Sequence, residues 1–237
     1  MADIKERPIL FSSPMVRAIL DGSKRMTRRM MKPQPVIELA NLAACPYGQP
    51  GDRLWVRESW RIGAWDESDG TIAIDYCDGP RREWLSILND DDGEKFNHYW
   101  ISCCDELARK RIEPGTDGRY HWEPGQSPLR WRPSIHMPRW ASRITLEVVS
   151  VRVERLGDIS EQDAIAEGVE GHHIEDGMYW RNYMLTDEEA EVSPMLTSAK
   201  ASFRSLWESI NGEGSWSINP WVWAVSFRRV GVKNGRS

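Results

Sequence analysis

Residues 141–156 read ASRITLEVVSVRVERL, and this stretch decides how the rest of the chain can be folded. Apolar and polar residues alternate from Ile144 onward, and the alternation changes phase near Ser150. A period of two is typical of a strand with one buried face, and a change of phase indicates a β-bulge. The sequence therefore predicts one long strand over 141–156, bulged near Ser150, around which the other elements are arranged.

Two helices and a strand follow this long strand. In DISEQDAIAEGV (158–169), Ser160 stands as an N-cap with Asp163 three residues later, and Gly168 supplies a stop. From Ser198 the apolar residues keep helical spacing until Asn211 and Gly212 end the pattern. NPWVWAVSFRRV (219–230) then predicts a closing strand.

The N-terminal part begins with a short helix that leads into a basic segment. Ser13 and Pro14 suit an N-cap and a first helical position, and Gly22 suits a left-handed end, so a helix is predicted over 14–21. This helix leads into the basic segment GSKRMTRR (22–29). Further along the chain, a turn is predicted at 50–52 and a strand over 54–60.

Two polar stretches interrupt this framework, at about 61–139 and 170–197. TIAIDYC (71–77) and FNHYWISC (96–103) are interpreted as short strands within the first stretch, which is not expected to form a core of its own. The order of elements predicts a single domain over 1–237 of the α+β class, built as a small mixed β-barrel with flanking short helices and two insertions.

Composition describes an ordinary folded protein. The 237 residues are 40% hydrophobic and 28% charged, with no apolar run long enough to span a membrane and no apolar signal-peptide core after MADIKERPIL. We therefore expect a cytoplasmic protein. The four cysteines form no C-x-x-C pair, which favours free thiols over a zinc site or a disulfide framework.

Charge is segregated along the chain although the net charge is only −5. Residues 16–32 carry six cations against Asp21 alone, and residues 128–143 carry four arginines and His136 with no acid. Residues 66–113 are acidic, with thirteen carboxylates and six cations. This pattern fits a positive patch for a phosphate-bearing partner, and it fits a solvated basic face equally well.

The chain contains thirteen tryptophans, an unusually high number for its length. Trp207, Trp221 and Trp223 have the spacing of core residues. A second group, Trp122, Trp131 and Trp140, stands among arginines and prolines. These three suit either core packing or a surface on which bases stack.

Four short motifs occur in the order found in one known family. GSKRMT (22–27) resembles the G-x-K-x-x-T signature of the ASCH (activating-signal-cointegrator homology) domain, and PGDRLWV (50–56) resembles its next turn and strand. The segment from Leu156 to Glu167 resembles its strand-to-helix region, and WVWAVSF (221–227) its last strand. The blocks RPILFS, YGQPGDRLWVRE and IHMPRWASRITLEV are similar to a prophage-encoded subgroup.

This resemblance implies a PUA-like β-barrel with a cleft beside the G-x-K-x-x-T segment, and recognition of RNA or of a modified nucleoside. Small members of the family hydrolyse the amide of N4-acylated cytidine with a lysine, a threonine and a glutamate. We expect no cofactor and no metal for this chain. Carried over, this trio is Lys24, Thr27 and Glu167, with Glu161 and Asp163 on the same helix as Glu167.

The three residue types of this trio are suited to amide hydrolysis. A threonine hydroxyl becomes a nucleophile when a neighbouring base takes its proton, and a lysine serves as that base only when its pKa falls. Like charge on Arg25, Arg28 and Arg29 lowers the pKa of Lys24, whereas Glu167 raises it. Lys24 and Thr27 are three residues apart, so activity requires a bent backbone here.

Six further residues are candidates for contact with nucleic acid or another ligand: Arg25, Arg28, Arg29, Trp55, His136 and Arg139. His172 and His173 are adjacent and have no third ligand nearby in the sequence, which disfavours a metal site there. Three functions remain open: an amide hydrolase, a non-catalytic nucleic-acid-binding module, and an RNA-cleaving nuclease.

Overall fold

A computed structural model of the chain describes residues 3–35, 45–68, 70–86, 93–174, 177–186, 188–189 and 195–230. The strands within these ranges are β1 (Glu6–Leu10), β2 (Met26–Met30), β3 (Arg53–Arg57), β4 (Trp60–Asp66), β5 (Thr71–Tyr76), β6 (Arg81–Ser86), β7 (Thr145–Arg155), β8 (Gly171–Ile174), β9 (Gly177–Trp180) and β10 (Trp221–Val230). The α-helices are α1 (Ser13–Asp21), α2 (Gly93–Arg109), α3 (Glu161–Ala166) and α4 (Ala199–Asn211).

The chain divides into two compact units. The first comprises residues 1–7, 17–54 and 144–237, and the second comprises residues 8–16 and 55–143. The chain crosses the boundary four times, within β1, α1 and β3 and between residues 143 and 144.

The predicted long strand is the centre of the largest sheet. β7 pairs antiparallel with β10, which pairs antiparallel with β2 on its other side. The register of β7 against β10 shifts where Ser226 faces Ser150 but Phe227 faces Val148, which leaves Val149 as an extra residue. The bulge predicted near Ser150 is therefore confirmed.

This sheet is open within the described residues. Its five strands follow the order β1–β3–β7–β10–β2, and β1 and β2 at its ends do not pair with each other. The predicted α+β class is confirmed, whereas a closed barrel is not found in this part of the chain.

The two helices predicted after β7 begin where the sequence places them. The Ser160 hydroxyl accepts the backbone N–H of Asp163 at 3.1 Å, and the Ser198 hydroxyl accepts that of Ala201 at the same distance. α3 and α4 pack on a core that includes Leu156, Phe203, Trp207 and Val222. The core role predicted for Trp207 and Trp223 is confirmed, since they are 5% and 9% exposed. Trp221 is only partly buried, with the Arg155 guanidinium 4.3 Å from its ring centre.

The second unit departs from the sequence prediction in two elements. FNHYWISC lies within the 17-residue helix α2 and is not a strand. Tyr99, Cys103 and Leu107 recur every four residues and pack on one core, so the helical period becomes visible only beyond Cys103. The strand predicted over 54–60 is divided, because Trp60 belongs to a second sheet, in which it pairs with Tyr76.

A hydrophobic core lies within this second unit, contrary to expectation. Its buried members include Trp60, Ile74, Leu107 and Met137. They come from β4, β5, α2 and the turn at 134–137. The stretch that was expected to have no core of its own therefore buries substantial apolar area. None of the helices in the described ranges is long and apolar enough to cross a membrane.

Candidate active site

The basic segment leaves α1 through a left-handed glycine. Gly22 has φ +87°, a conformation that favours glycine, and it redirects the chain after Asp21. The Lys24 N–H then donates to the Ala18 carbonyl at 2.8 Å, which fixes the segment against the helix it has just left. The chain is thus bent at Gly22, upstream of both Lys24 and Thr27, and the backbone is extended from Met26 onward in β2.

Lys24 and Glu167 lie in direct contact, as the resemblance implies. The Lys24 Nζ donates to the Glu167 carboxylate at 2.9 Å and to the Glu167 carbonyl at 2.7 Å. Their backbones form an isolated antiparallel bridge, and the two side chains are 1% and 3% exposed. The segment before β2 and the end of α3 therefore enclose a buried ion pair.

This close approach depends on the absence of a side chain at Gly168. A Cβ at that position would lie 2.7 Å from the Lys24 Cβ and 3.1 Å from the Ala18 Cβ. Gly168 also has φ +80°. The glycine predicted only as a helix stop thus also allows α3 to contact Lys24.

Burial lowers the pKa of Lys24 from its ordinary value, and the charges of Arg29 and Arg28 lower it further. The Glu167 carboxylate opposes this by stabilising the ammonium. Desolvation is the largest cause of the lowered pKa, and the like charge that the sequence argument drew from the neighbouring arginines is a smaller one. Arg25 is exposed and is not among the causes.

Arg28 is the centre of a buried ion-pair network. Its side chain is fully buried, and its guanidinium contacts three carboxylates, those of Glu154 at 2.6 Å, Asp163 at 2.7 Å and Glu167 at 3.2 Å. Arg152 adds a second cation at 2.7 Å from Asp163. The network joins β2, β7 and α3. The Arg28 charge is compensated within the protein by these carboxylates.

Sequence reasoning missed Glu154 and Arg152 as members of this network. The available signal was their spacing, because residues two apart on β7 share a face. β10 pairs with both β7 and β2, and Ala224 faces Arg152 on one side and Arg28 on the other. That register could not be obtained before the strand order was known.

Thr27 is buried but is not hydrogen-bonded to its predicted partners. It is 3% exposed, and its hydroxyl makes no hydrogen bond within the described residues. The Met26 sulfur lies 3.1 Å from the Arg28 guanidinium, so these two share a face of β2, and Thr27 and Arg29 lie on the other. Burial lowers the pKa of the half-buried Arg29.

Trp55, His136 and Arg139 belong to the second unit. The Arg57 guanidinium lies 4.7 Å from the Trp55 ring centre and that of Arg139 lies 6.0 Å away. His136 is exposed in the short 3-10 turn Ser134–His136. Two cations therefore lie near the Trp55 ring, and neither belongs to the basic segment at 22–29.

The remaining aromatic and histidine candidates are distributed differently. Trp122 and Trp140 pack against the core of the second unit, while Trp131 is 40% exposed with the Arg61 guanidinium 4.3 Å above its ring. His172 and His173 are exposed on β8. No group of three or more potential metal ligands is found in the described ranges.

The chain was compared with protein-family models, curated proteins and solved structures, and no match was found in any of the three comparisons. The chemistry that the site can perform is therefore inferred from its own geometry. A buried amine with a lowered pKa can accept a proton, a carboxylate can orient that amine, and an unpartnered hydroxyl can act as a nucleophile.

Proposed function

We propose that this protein is an ASCH-type hydrolase that cleaves the amide of an N4-acylated cytidine or a related modified nucleoside. One observation carries the proposal: Lys24 is buried in contact with Glu167, three residues before a buried threonine hydroxyl with no hydrogen-bond partner in the described part of the chain. The proposal includes the finer fold prediction, that the five-stranded sheet is an open form of a PUA-like barrel.

In the proposed reaction, local opening of the basic segment brings the Thr27 hydroxyl within reach of Lys24. The hydroxyl then attacks the acyl carbon, and neutral Lys24 accepts its proton. The tetrahedral intermediate then expels the cytosine N4 amine, which takes the proton from Lys24 and leaves an acyl ester on Thr27. Water hydrolyses this ester and releases the carboxylic acid. Covalent catalysis of this kind divides one difficult step into two easier ones.

Glu167 acts as the positioning residue for Lys24. Lys24 and Arg28 hold its two carboxylate oxygens, at 2.9 and 3.2 Å, so the carboxylate has a fixed direction from which to orient the amine. Because Lys24 and Thr27 are 2% and 3% exposed, substrate entry requires local opening of the segment that contains them.

The ion pairs of Arg28 favour an enclosed site over a phosphate clamp. A clamp needs cations that are available to phosphates, and the Arg28 side chain has no exposed surface. Arg25 is exposed and Arg29 is half-buried, which leaves a smaller basic surface than the sequence predicts. RNA binding and RNA cleavage are therefore treated as alternative outcomes of the test.

The test uses two substitutions of Thr27, one that keeps the shape of the side chain and one that keeps its hydroxyl. Purified protein is incubated with N4-acetylcytidine, and cytidine and acetate are quantified by chromatography. Thr27→Val removes the nucleophile and should abolish turnover, whereas Thr27→Ser retains a hydroxyl and should keep measurable activity. Because the hydroxyl makes no hydrogen bond in the described residues, Thr27→Val should leave the free energy of unfolding nearly unchanged.

The pH dependence separates a catalytic Lys24 from a structural one. Since the reactive form is the neutral amine, kcat/KM should rise with pH, with a midpoint below the ordinary lysine value of 10.5. Glu167→Gln removes the charge that raises this pKa, so the midpoint should move to lower pH. Absence of turnover across a panel of N4-acylcytidines by folded protein would refute the hydrolase, and salt-sensitive oligonucleotide binding would then favour the binding module.

A further inference from the structure

A cavity of about 810 Å³ lies within the second unit, beside the sheet of β4, β5 and β6. Four aromatic side chains line it, those of Trp65, Trp84, Tyr120 and Trp122. Its volume falls in the range of sites that enclose small-molecule ligands, about 300–1,000 Å³. None of these four residues takes part in the proposed hydrolysis.

The cavity wall is built around Arg82. Its guanidinium donates to the fully buried Asp75 carboxylate at 2.8 Å and to the carbonyls of Gly63 and Trp122, each at 3.0 Å. A further bond reaches the Glu123 carbonyl at 3.2 Å. The segment at 117–126 has no helix or strand, yet these bonds attach it to the sheet, so the cavity is preformed.

The three inner rings contact one another at interplanar angles between 40° and 70°. The Trp65 ring centre lies 5.7 Å from that of Tyr120 and 6.2 Å from that of Trp122, with interplanar angles of 55° and 70°. Trp84 is 49% exposed and lies at the outer part of the lining. Rings set at such angles offer both faces and edges to an occupant.

The charge of the lining is predominantly negative. Four carboxylates contribute to it, those of Asp66, Glu67, Asp117 and Glu123. The lining residue Arg82 is paired with Asp75, which Arg61 also approaches at 3.6 Å. The remaining cationic groups are Arg119 and His121, and His121 contacts Asp117 at 2.6 Å. An excess of carboxylates disfavours phosphates and favours cations.

The lining suits an organic cation better than a metal ion, because the carboxylates do not converge on a point. No set of three or more histidine, cysteine or carboxylate groups in the described ranges could hold a metal ion. Aromatic faces attract alkylated ammonium and guanidinium groups, most strongly when the face belongs to tryptophan. From the aromatic walls and surrounding carboxylates, we infer that this cavity binds a small organic cation with an alkylated ammonium group.

The experiment compares choline with 3,3-dimethylbutan-1-ol, its neutral isostere, by calorimetric titration of the full chain. Choline should bind at least about tenfold more tightly, the ratio that corresponds to a moderately desolvated cation–π contact. Equal affinity for the two probes, or no choline binding up to millimolar concentration, would overturn the inference.

Two tryptophan substitutions locate the binding site. Trp84→Ala should weaken choline binding by about tenfold, since it removes one aromatic face from the lining. Trp131→Ala is the matched control, because Trp131 is exposed to a similar degree but does not line the cavity. Unchanged affinity in Trp84→Ala, or an equal loss in Trp131→Ala, would place any binding elsewhere and contradict the proposal.

Discussion

At Gly168 the chain has no room for a side chain on the side that faces Lys24. The nearest side-chain atom to an added methyl group is the Lys24 Cβ, which cannot move without displacing the backbone that pairs with Glu167. Gly22 offers a contrast, because it has a similar φ of +87° but nothing within 4 Å of an added Cβ. The two glycines therefore separate backbone strain from steric overlap.

We expect Gly168→Ala to lower the free energy of unfolding by about 2–5 kcal/mol, the sum of left-handed strain and overpacking. Gly22→Ala should cost only the strain, about 1–2 kcal/mol. Denaturant unfolding of the two variants measures the difference. Equal losses would mean that the contact between α3 and Lys24 is looser than the structure describes.

At the scale of single residues, the sequence predicted only the contact between Lys24 and Glu167, whose backbones pair. The resemblance implied that Lys24 and Glu167 act together, and they lie 2.9 Å apart. The same reasoning grouped Arg28 with the ligand-binding cations, whereas its charge is taken up by three carboxylates. A side chain's partners depend on strand register, and a local basic pattern carries no information about that register.

Among the elements, β2, β7 and α3 are held together by the Arg28 guanidinium. Each of these elements contributes one residue to the contact of Arg28 with Glu154 and Asp163. Removing one member of a buried network leaves the others as uncompensated buried charges, which is costly even when the intact network contributes little net stability.

We therefore expect Arg28→Met to destabilise the protein by about 3–5 kcal/mol, since methionine fills the space without the charge. Arg25→Met, three positions earlier on the exposed side of the same segment, should stay within about 0.5 kcal/mol of the wild type. Thermal and denaturant unfolding would show the contrast. Similar losses in both variants would show that the ion pairs of Arg28 do not hold the three elements together.

Elements were predictable where a periodic pattern was long or was bounded by caps. β7 has eleven residues with a visible change of phase, and α3 and α4 begin at serine caps, so all three were located from the sequence. FNHYWISC failed because its aromatic residues favour strands locally, while its helical period depends on Leu107 beyond the window. The choice between strand and helix was decided by packing on Trp60 and Ile74, not by local propensity.

At the scale of the whole molecule, each of the two units has its own buried apolar cluster. The first is centred on residues such as Leu156 and Phe203, and the second on residues such as Ile74 and Leu107. Sequence reasoning assigned no core to the second because its apolar residues are dispersed among acids and glycines over about eighty positions. Only the fold brings them together.

Separate cores predict separate local opening. Ile74→Ala, at a fully buried position of the second unit, should cost about 2–5 kcal/mol and accelerate amide hydrogen exchange mainly in β4, β5, β6 and α2. Leu156→Ala is the matched variant in the core of the first unit, also fully buried, and should accelerate exchange mainly in α3, α4 and β10. Mass spectrometry of peptic fragments resolves the two regions. If each variant accelerated exchange equally in both units, the chain would open as one cooperative body, and the cores would not be independent sources of stability.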